Sequence, residues 1–394
     1  MKTKWTTCLP CIASTLFGLS LVVGSAAAAT NPHLLVTNDD VAPTSPNSVS
    51  FYTIGNNGSL TLSQTVLTGG VGIGGGYFGM NRVNVLNGSS QQCVYASDAD
   101  TSDIVGIVVS TATVGGSATG SATDTGLSNG IGLEMNSQYL YASFSDSNTI
   151  GTFAVEPGCA LTFIGDTAVA GLQSGVIDAM AVHGNILIAT FGDGSIESFD
   201  ISGGTPVSNG DEQNSTGAVS AQGATYPTGI DITQDGHYAL FGDTSTAAVV
   251  EVSDISSGKL SKTVVYQSNA GINSSNIMLS PDETLLYIVD TQGDTVSASF
   301  FDASTGKLSG GCVSGKLKGY VTDFSYLAGL ALENNTGNGG GIYVAEFGVP
   351  SSIAEVAVTS SSGKCTLKEA PNSPVSDANS SGLLSIGVFP PRAF

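Results

Sequence analysis

Arg82 stands alone among acids. It is one of two arginines beyond residue 29 and the only Lys or Arg between there and Lys259, while residues 83–258 hold 19 Asp and Glu. A guanidinium in such company either neutralises a neighbouring carboxylate in a buried pair, with Asp98 as the first choice, or offers a bidentate fork to an anionic ligand. Asp98, Asp100 and Asp103, in the string DADTSD, form the densest local set of oxygens and would suit a small calcium site. The loop glycine and terminal Glu of an EF-hand are missing from it. A single Asp also recurs in turn-like strings at Asp40, Asp100, Asp146, Asp193 and Asp243, which fits turn chemistry, the side chain bonding its own backbone. His33, His183 and His237 lack a Cys or His at ligand spacing, so neither a metal nor another cofactor is expected. The string GLSNG at 126–130 matches a nucleophile elbow, but that motif works only on a strand-to-helix turn.

The charge balance narrows the partners. Of 394 residues, 32 are acidic and 11 basic, for a net charge of -21, and only 11% are charged. Nucleic-acid affinity comes from cations that displace counterions at phosphates, so this chain is not built for DNA or RNA. At 41% hydrophobic it has enough apolar surface to fold. Residues 1–29 carry Lys2 and Lys4, an apolar run from Ile12 to Val23 and then small residues, the pattern of a cleaved export signal. Residues 30–394 are then expected as one soluble domain, secreted or periplasmic, monomeric and not inserted in a membrane. Cys8 and Cys11 leave with the leader, and four cysteines remain, an even number that suggests two disulfides in an oxidising compartment.

The elements that must position these residues emerge from a repeat. The strings HLLVTNDD, QCVYASDAD, YLYASFSD, NILIATFGD, HYALFGD, LLYIVDTQGD and GIYVAEFG are seven versions of one strand, and anchoring them on Leu35, Tyr95, Tyr141, Ile188, Tyr238, Tyr287 and Tyr343 gives steps of 46 to 60 residues. Each anchor strand follows one apolar run and precedes a third, with Gly-, Asn-, Asp- and Ser-rich turns between. Four short strands per repeat is the pattern of a propeller blade. The first copy lacks its leading strand and the last residues supply one. The fold class is therefore all-β, a seven-bladed β-propeller closed by pairing of the C-terminal strand with the N-terminal blade, which removes the exposed sheet edges. Adjacent blades would join Cys93 to Cys159 and Cys312 to Cys365. The starts of the inner strands line the top mouth of the channel and give the expected ligand contacts: Arg82, Asn129, Thr228 and Asn276, with Asp178 close by.

The strings LYASFSDSNTI (140–150), SPDETLLYIVDTQGDTV (280–296) and FDASTGKLS (301–309) resemble the secreted YVTN-type propellers and the 6-phosphogluconolactonase-like lactonase family. That resemblance implies an axial pocket with a Pro-Arg-His start to one inner strand and an Asn-Glu after another. Asn81-Arg82-Val83 stands at the first place, with Val83 for the histidine, and Ala345-Glu346 lies one residue out of register at the second, Asp290 sharing the offset of Glu346. A lactonase built on this pattern would use Arg82 to steady an oxyanion and Glu346 or Asp290 as base. The residues alone favour a propeller that binds a small molecule or an extracytoplasmic protein at its top face without catalysis. A lactonase and a structural cell-surface repeat protein are the alternatives. Because 19 of the acids fall in residues 83–258, a protein partner would be cationic.

Overall fold

The computed structural model describes residues 33–41, 44–74, 81–88, 91–110, 115–123, 130–144, 146–169, 171, 175–214, 227–243, 249–261, 263–267, 274–290, 293–318, 327–332, 341–346, 350–380 and 385–389. They form a seven-bladed propeller of antiparallel sheets, each blade built from consecutive strands running inner to outer. Blade 2 is typical, with Val83–Asn87, Gln92–Asp98, Asp103–Ser110 and Gly115–Thr123 in order. Blade 1 is completed from both ends of the chain. Its inner strand is Ser385–Phe389, which pairs with Leu34–Asn38 so that Leu35 faces Val388 and Thr37 faces Ile386.

The second strand of each blade lies between two neighbouring blades, so it buries both faces. In Gln92–Asp98, Val94 and Ala96 pack on blade 1 residues Leu34 and Val36, while Cys93 and Tyr95 pack on blade 3 residues Leu140 and Phe144. The outer strand of blade 3, Leu161–Ala168, has no buried residue and is exposed or half-buried throughout. Burying apolar area at about 25 cal/mol per Å² across each seam is what holds the wheel together. At one seam the approach is closer than a side chain permits. A Cβ on Gly106 would lie 1.8 Å from the Cys159 carbonyl oxygen, so only glycine lets the blade 3 turn Pro157–Cys159 dock on blade 2.

Both expected disulfides are formed. Cys93–Cys159 joins blades 2 and 3 and Cys312–Cys365 joins blades 6 and 7, with Cα separations of 5.6 and 5.7 Å. Cys312 lies further along its strand than Cys365, and a register shift between Ala298 and Phe300 absorbs the offset.

Pairing corrects the repeat register at two blades. The residue that ends the second strand and faces the preceding blade is Asp98, Phe144, Phe191, Asp243, Asp290 and Glu346 in blades 2 to 7. In blade 1 it is Asp39, whose amide bonds the Ser48 carbonyl. The equivalent of Tyr95 is therefore Val36 rather than Leu35, and Leu240 rather than Tyr238. Asp243 thus belongs to the strand end and not with Asp40, Asp100, Asp146 and Asp193 in the following turn. Five of the seven strand-end residues are acids, and all five are 0–1% exposed.

Candidate functional site

The inner strands of blades 3 to 7 share one irregularity. Each has a β-bulge at its top end, between Gly130 and Gly132, Ile177 and Ala179, Pro227 and Gly229, Ser274 and Ile277, and Leu327 and Leu330. A bulge takes extra residues out of the ladder and re-aims them, and such features gather beside functional sites. In blades 4, 5 and 6 the bulges hold Asp178, Thr228 and Asn276. Three of the expected ligand contacts therefore occupy one level of three consecutive blades. Asn129, the fourth, lies outside the described residues. In blades 3 and 4 the second strand fixes the bulge, Ser143 Oγ accepting from the Gly132 amide at 2.9 Å and Thr190 Oγ1 from the Ala179 amide at 3.0 Å.

Asp178 is unusual within this arc. It is 2% exposed, and neither carboxylate oxygen has a hydrogen-bond partner among the described residues. Burial, with Asp193 nearby, pushes it up to about 7. Gly192 lies in the adjoining turn, where a Cβ would sit 3.5 Å from both oxygens, an ordinary contact distance.

Arg82 sits at the seam of blades 1 and 2 and is committed there. Its Nη1 donates to Asp40 Oδ2 at 2.5 Å, and both side chains are 1% exposed. The observed partner is Asp40 rather than the expected Asp98, and Asp40 has a left-handed backbone (φ 45°). Asp98 is tied in indirectly. Asn47 Nδ2 donates to both Asp98 Oδ1 (2.8 Å) and Asn38 Oδ1 (2.9 Å), while Asn38 Nδ2 donates to the Arg82 carbonyl at 3.0 Å. Thr68 Oγ1 also donates to Asp98 Oδ1, and burial raises Asp98 to about 6.

Asp290 and Glu346, the other two residues of the expected catalytic set, lie in blades 6 and 7 and serve their own turns. Asp290 accepts from the Gly293 amide at 2.9 Å and Thr295 Oγ1 at 3.4 Å; Glu346 accepts from Ser352 Oγ at 2.5 Å. Asp100 is exposed and Asp103 pairs opposite Asp98 across the strand turn. No three His, Cys, Asp or Glu side chains among the described residues form a metal-holding group.

Two further acids on inner strands escaped the sequence reading. Glu134 of blade 3 accepts from Asn81 Nδ2, and burial, opposed by that bond and reinforced by Asp231 of blade 5, lifts it to about 8. Asp231 in turn accepts the Leu279 amide of blade 6 at 2.7 Å. Their strings, GLEM and GIDI, look apolar, and only the repeat register puts both acids on inner strands.

Residues 93–374 match the family model described as "Lactonase, 7-bladed beta-propeller". A candidate 6-phosphogluconolactonase of Bacteroides fragilis superposes with a TM-score of 0.67 at 13% identity, covering 91% of this chain and 99% of its own. Another from Bacteroides uniformis gives 0.65 at 12%, covering 88% and 97%. The periplasmic gluconolactonase of Pseudomonas aeruginosa gives 0.55 at 13%, covering 71% and 81%. At such identities the likeness speaks for the fold alone. No curated protein sequence matches this chain.

Proposed function

The chain belongs to the seven-bladed β-propeller lactonase family, and from that premise we propose that it is an exported hydrolase that opens an unphosphorylated sugar lactone at the top mouth of the channel. The observation that carries this reading is the arc of Asp178, Thr228 and Asn276 at equivalent bulges of blades 4 to 6. A carboxylate, a hydroxyl and an amide at one level suit the hydroxyls of a sugar ring, which both donate and accept.

The charge of the arc favours a neutral substrate. No Lys or Arg occurs in residues 83–258, and Arg82 is held by Asp40. A 6-phosphate would meet the Asp178 carboxylate, and among the described residues no free fork faces it there. Among the structural neighbours, the gluconolactonase of Pseudomonas aeruginosa is periplasmic. Two disulfides suit a similar oxidising compartment. No described helix is long and apolar enough to cross a membrane.

The test is acid release in a pH-stat from glucono-δ-lactone and from its 6-phosphate, corrected for spontaneous ring opening. The expected result is saturable turnover that prefers the neutral lactone, with KM raised by Thr228→Val. Protein that accelerates no lactone contradicts the reading and leaves ligand binding without turnover in its place.

A further inference from the structure

We propose that Asp178 is the proton-transfer residue of this hydrolysis, an inference that rests on the lactonase reading above. Its carboxylate takes a proton from a water molecule as the water oxygen bonds to the lactone carbonyl carbon. The proton then passes to the ring oxygen as the acyl carbon–oxygen bond breaks. Lactone and water give one open-chain hydroxy acid, and the carboxylate is regenerated.

Geometry singles out this residue. A buried carboxylate normally collects hydrogen bonds, since leaving it bare is costly, so an unsatisfied one needs a reason. Among the described residues Asp178 has none on either oxygen although it is 2% exposed. Five other acids each hold at least one hydrogen bond. Asp39 takes Ser48 and Ser50 hydroxyls, Asp98 takes Asn47 and Thr68, Asp290 and Glu346 take donors of their own turns, and Glu134 takes Asn81. Asp178 also has the position, in the bulge of an inner strand beside Gly192, with Thr228 at the same level in the next blade. A proton-transfer group works best with its pKa near the working pH. Burial, the main cause, and then Asp193 bring Asp178 to about 7.

Steady-state hydrolysis of glucono-δ-lactone by the full chain tests the role, comparing wild type, Asp178→Asn, Asp178→Glu and Glu134→Gln from pH 5 to 8. The base is active without its proton, so wild-type kcat/KM should rise with pH through about 7. Asp178→Asn should lower kcat by about a hundredfold or more and abolish that rise, with KM nearly unchanged. Asp178→Glu should lower kcat less and keep the rise, which also covers the case in which the Asn variant does not fold. Wild-type kcat and pH profile in folded Asp178→Asn overturn the role while leaving the lactonase reading intact, as does loss of turnover in Glu134→Gln alone. A wild-type chain that opens no lactone removes both.

Discussion

Asp39 and Asp377 meet across the seam between blades 1 and 7, each 0% exposed, with the Thr37 hydroxyl between them at 2.5 Å from Asp39 Oδ1 and 3.3 Å from Asp377 Oδ2. Asp39 also accepts from Ser48 Oγ at 2.6 Å and Ser50 Oγ at 2.9 Å, and the Asn379 amide donates to Asp377 Oδ1 at 3.0 Å. Burial and then the neighbouring Asp377 carboxylate disfavour the charged form of Asp39. The pair lies where the chain's two ends close the ring.

Stability is therefore expected to fall as pH rises from about 4 to 7. Burial and then Asp377 raise Asp39 from its ordinary 3.8 to about 7. In that window the folded chain keeps a proton that the unfolded chain has released, so the slope of unfolding free energy against pH is negative. Asp98, Asp178 and Glu134, raised to about 6, 7 and 8, add the same sign. Thermal melts should give a higher Tm at pH 5 than at pH 8. Asp39→Asn, whose amide can donate to Asp377, should flatten the slope and melt above wild type at pH 8.

Arg82→Met is expected to destabilise by about 3–5 kcal/mol, because it strands the buried Asp40 carboxylate. Adding Asp40→Asn should recover most of the loss. Urea denaturation of the two single variants and the double gives the coupling, and a double variant that loses the sum of the two single losses would mean that the pair carries no mutual stabilisation.

The two disulfides should differ in how readily they are reduced. Cys93 and Cys159 are 0% exposed, whereas Cys312 and Cys365 are half-buried. A thiolate must reach a sulfur to exchange with it. Mild reductant followed by alkylation and mass analysis should label Cys312 and Cys365 first. Loss of Cys93–Cys159, whose ends are 66 positions apart in sequence, should then lower stability by about 4 kcal/mol on chain-entropy grounds.

Most of the fold was legible in the sequence, because each blade repeats a strand that is apolar on both faces and bounded by turn residues. That logic yields seven blades, the closure of Ser385–Phe389 on Leu34–Asn38 and both disulfides. Register was less legible. Phe241-Gly242-Asp243 reads like Phe191-Gly192-Asp193, yet pairing ends one second strand on Phe191 and the other on Asp243. Partners across seams were hidden too, since Asp377 lies 338 residues from Asp39 and Arg82 lies 42 from Asp40. Asp178, Thr228 and Asn276 were placed near the mouth from strand starts alone. The bulges that set them at one level leave no mark in the hydrophobic pattern.

The most direct test of the account is a crystal structure of the protein with an aldonolactam, a lactone analogue that resists ring opening. The account predicts the ring at the top mouth, with hydroxyls on Thr228 and Asn276 and the Asp178 carboxyl within hydrogen-bond reach of a water beside the amide carbon. An analogue bound at another face, or none bound at millimolar concentration while glucono-δ-lactone is turned over, would contradict it.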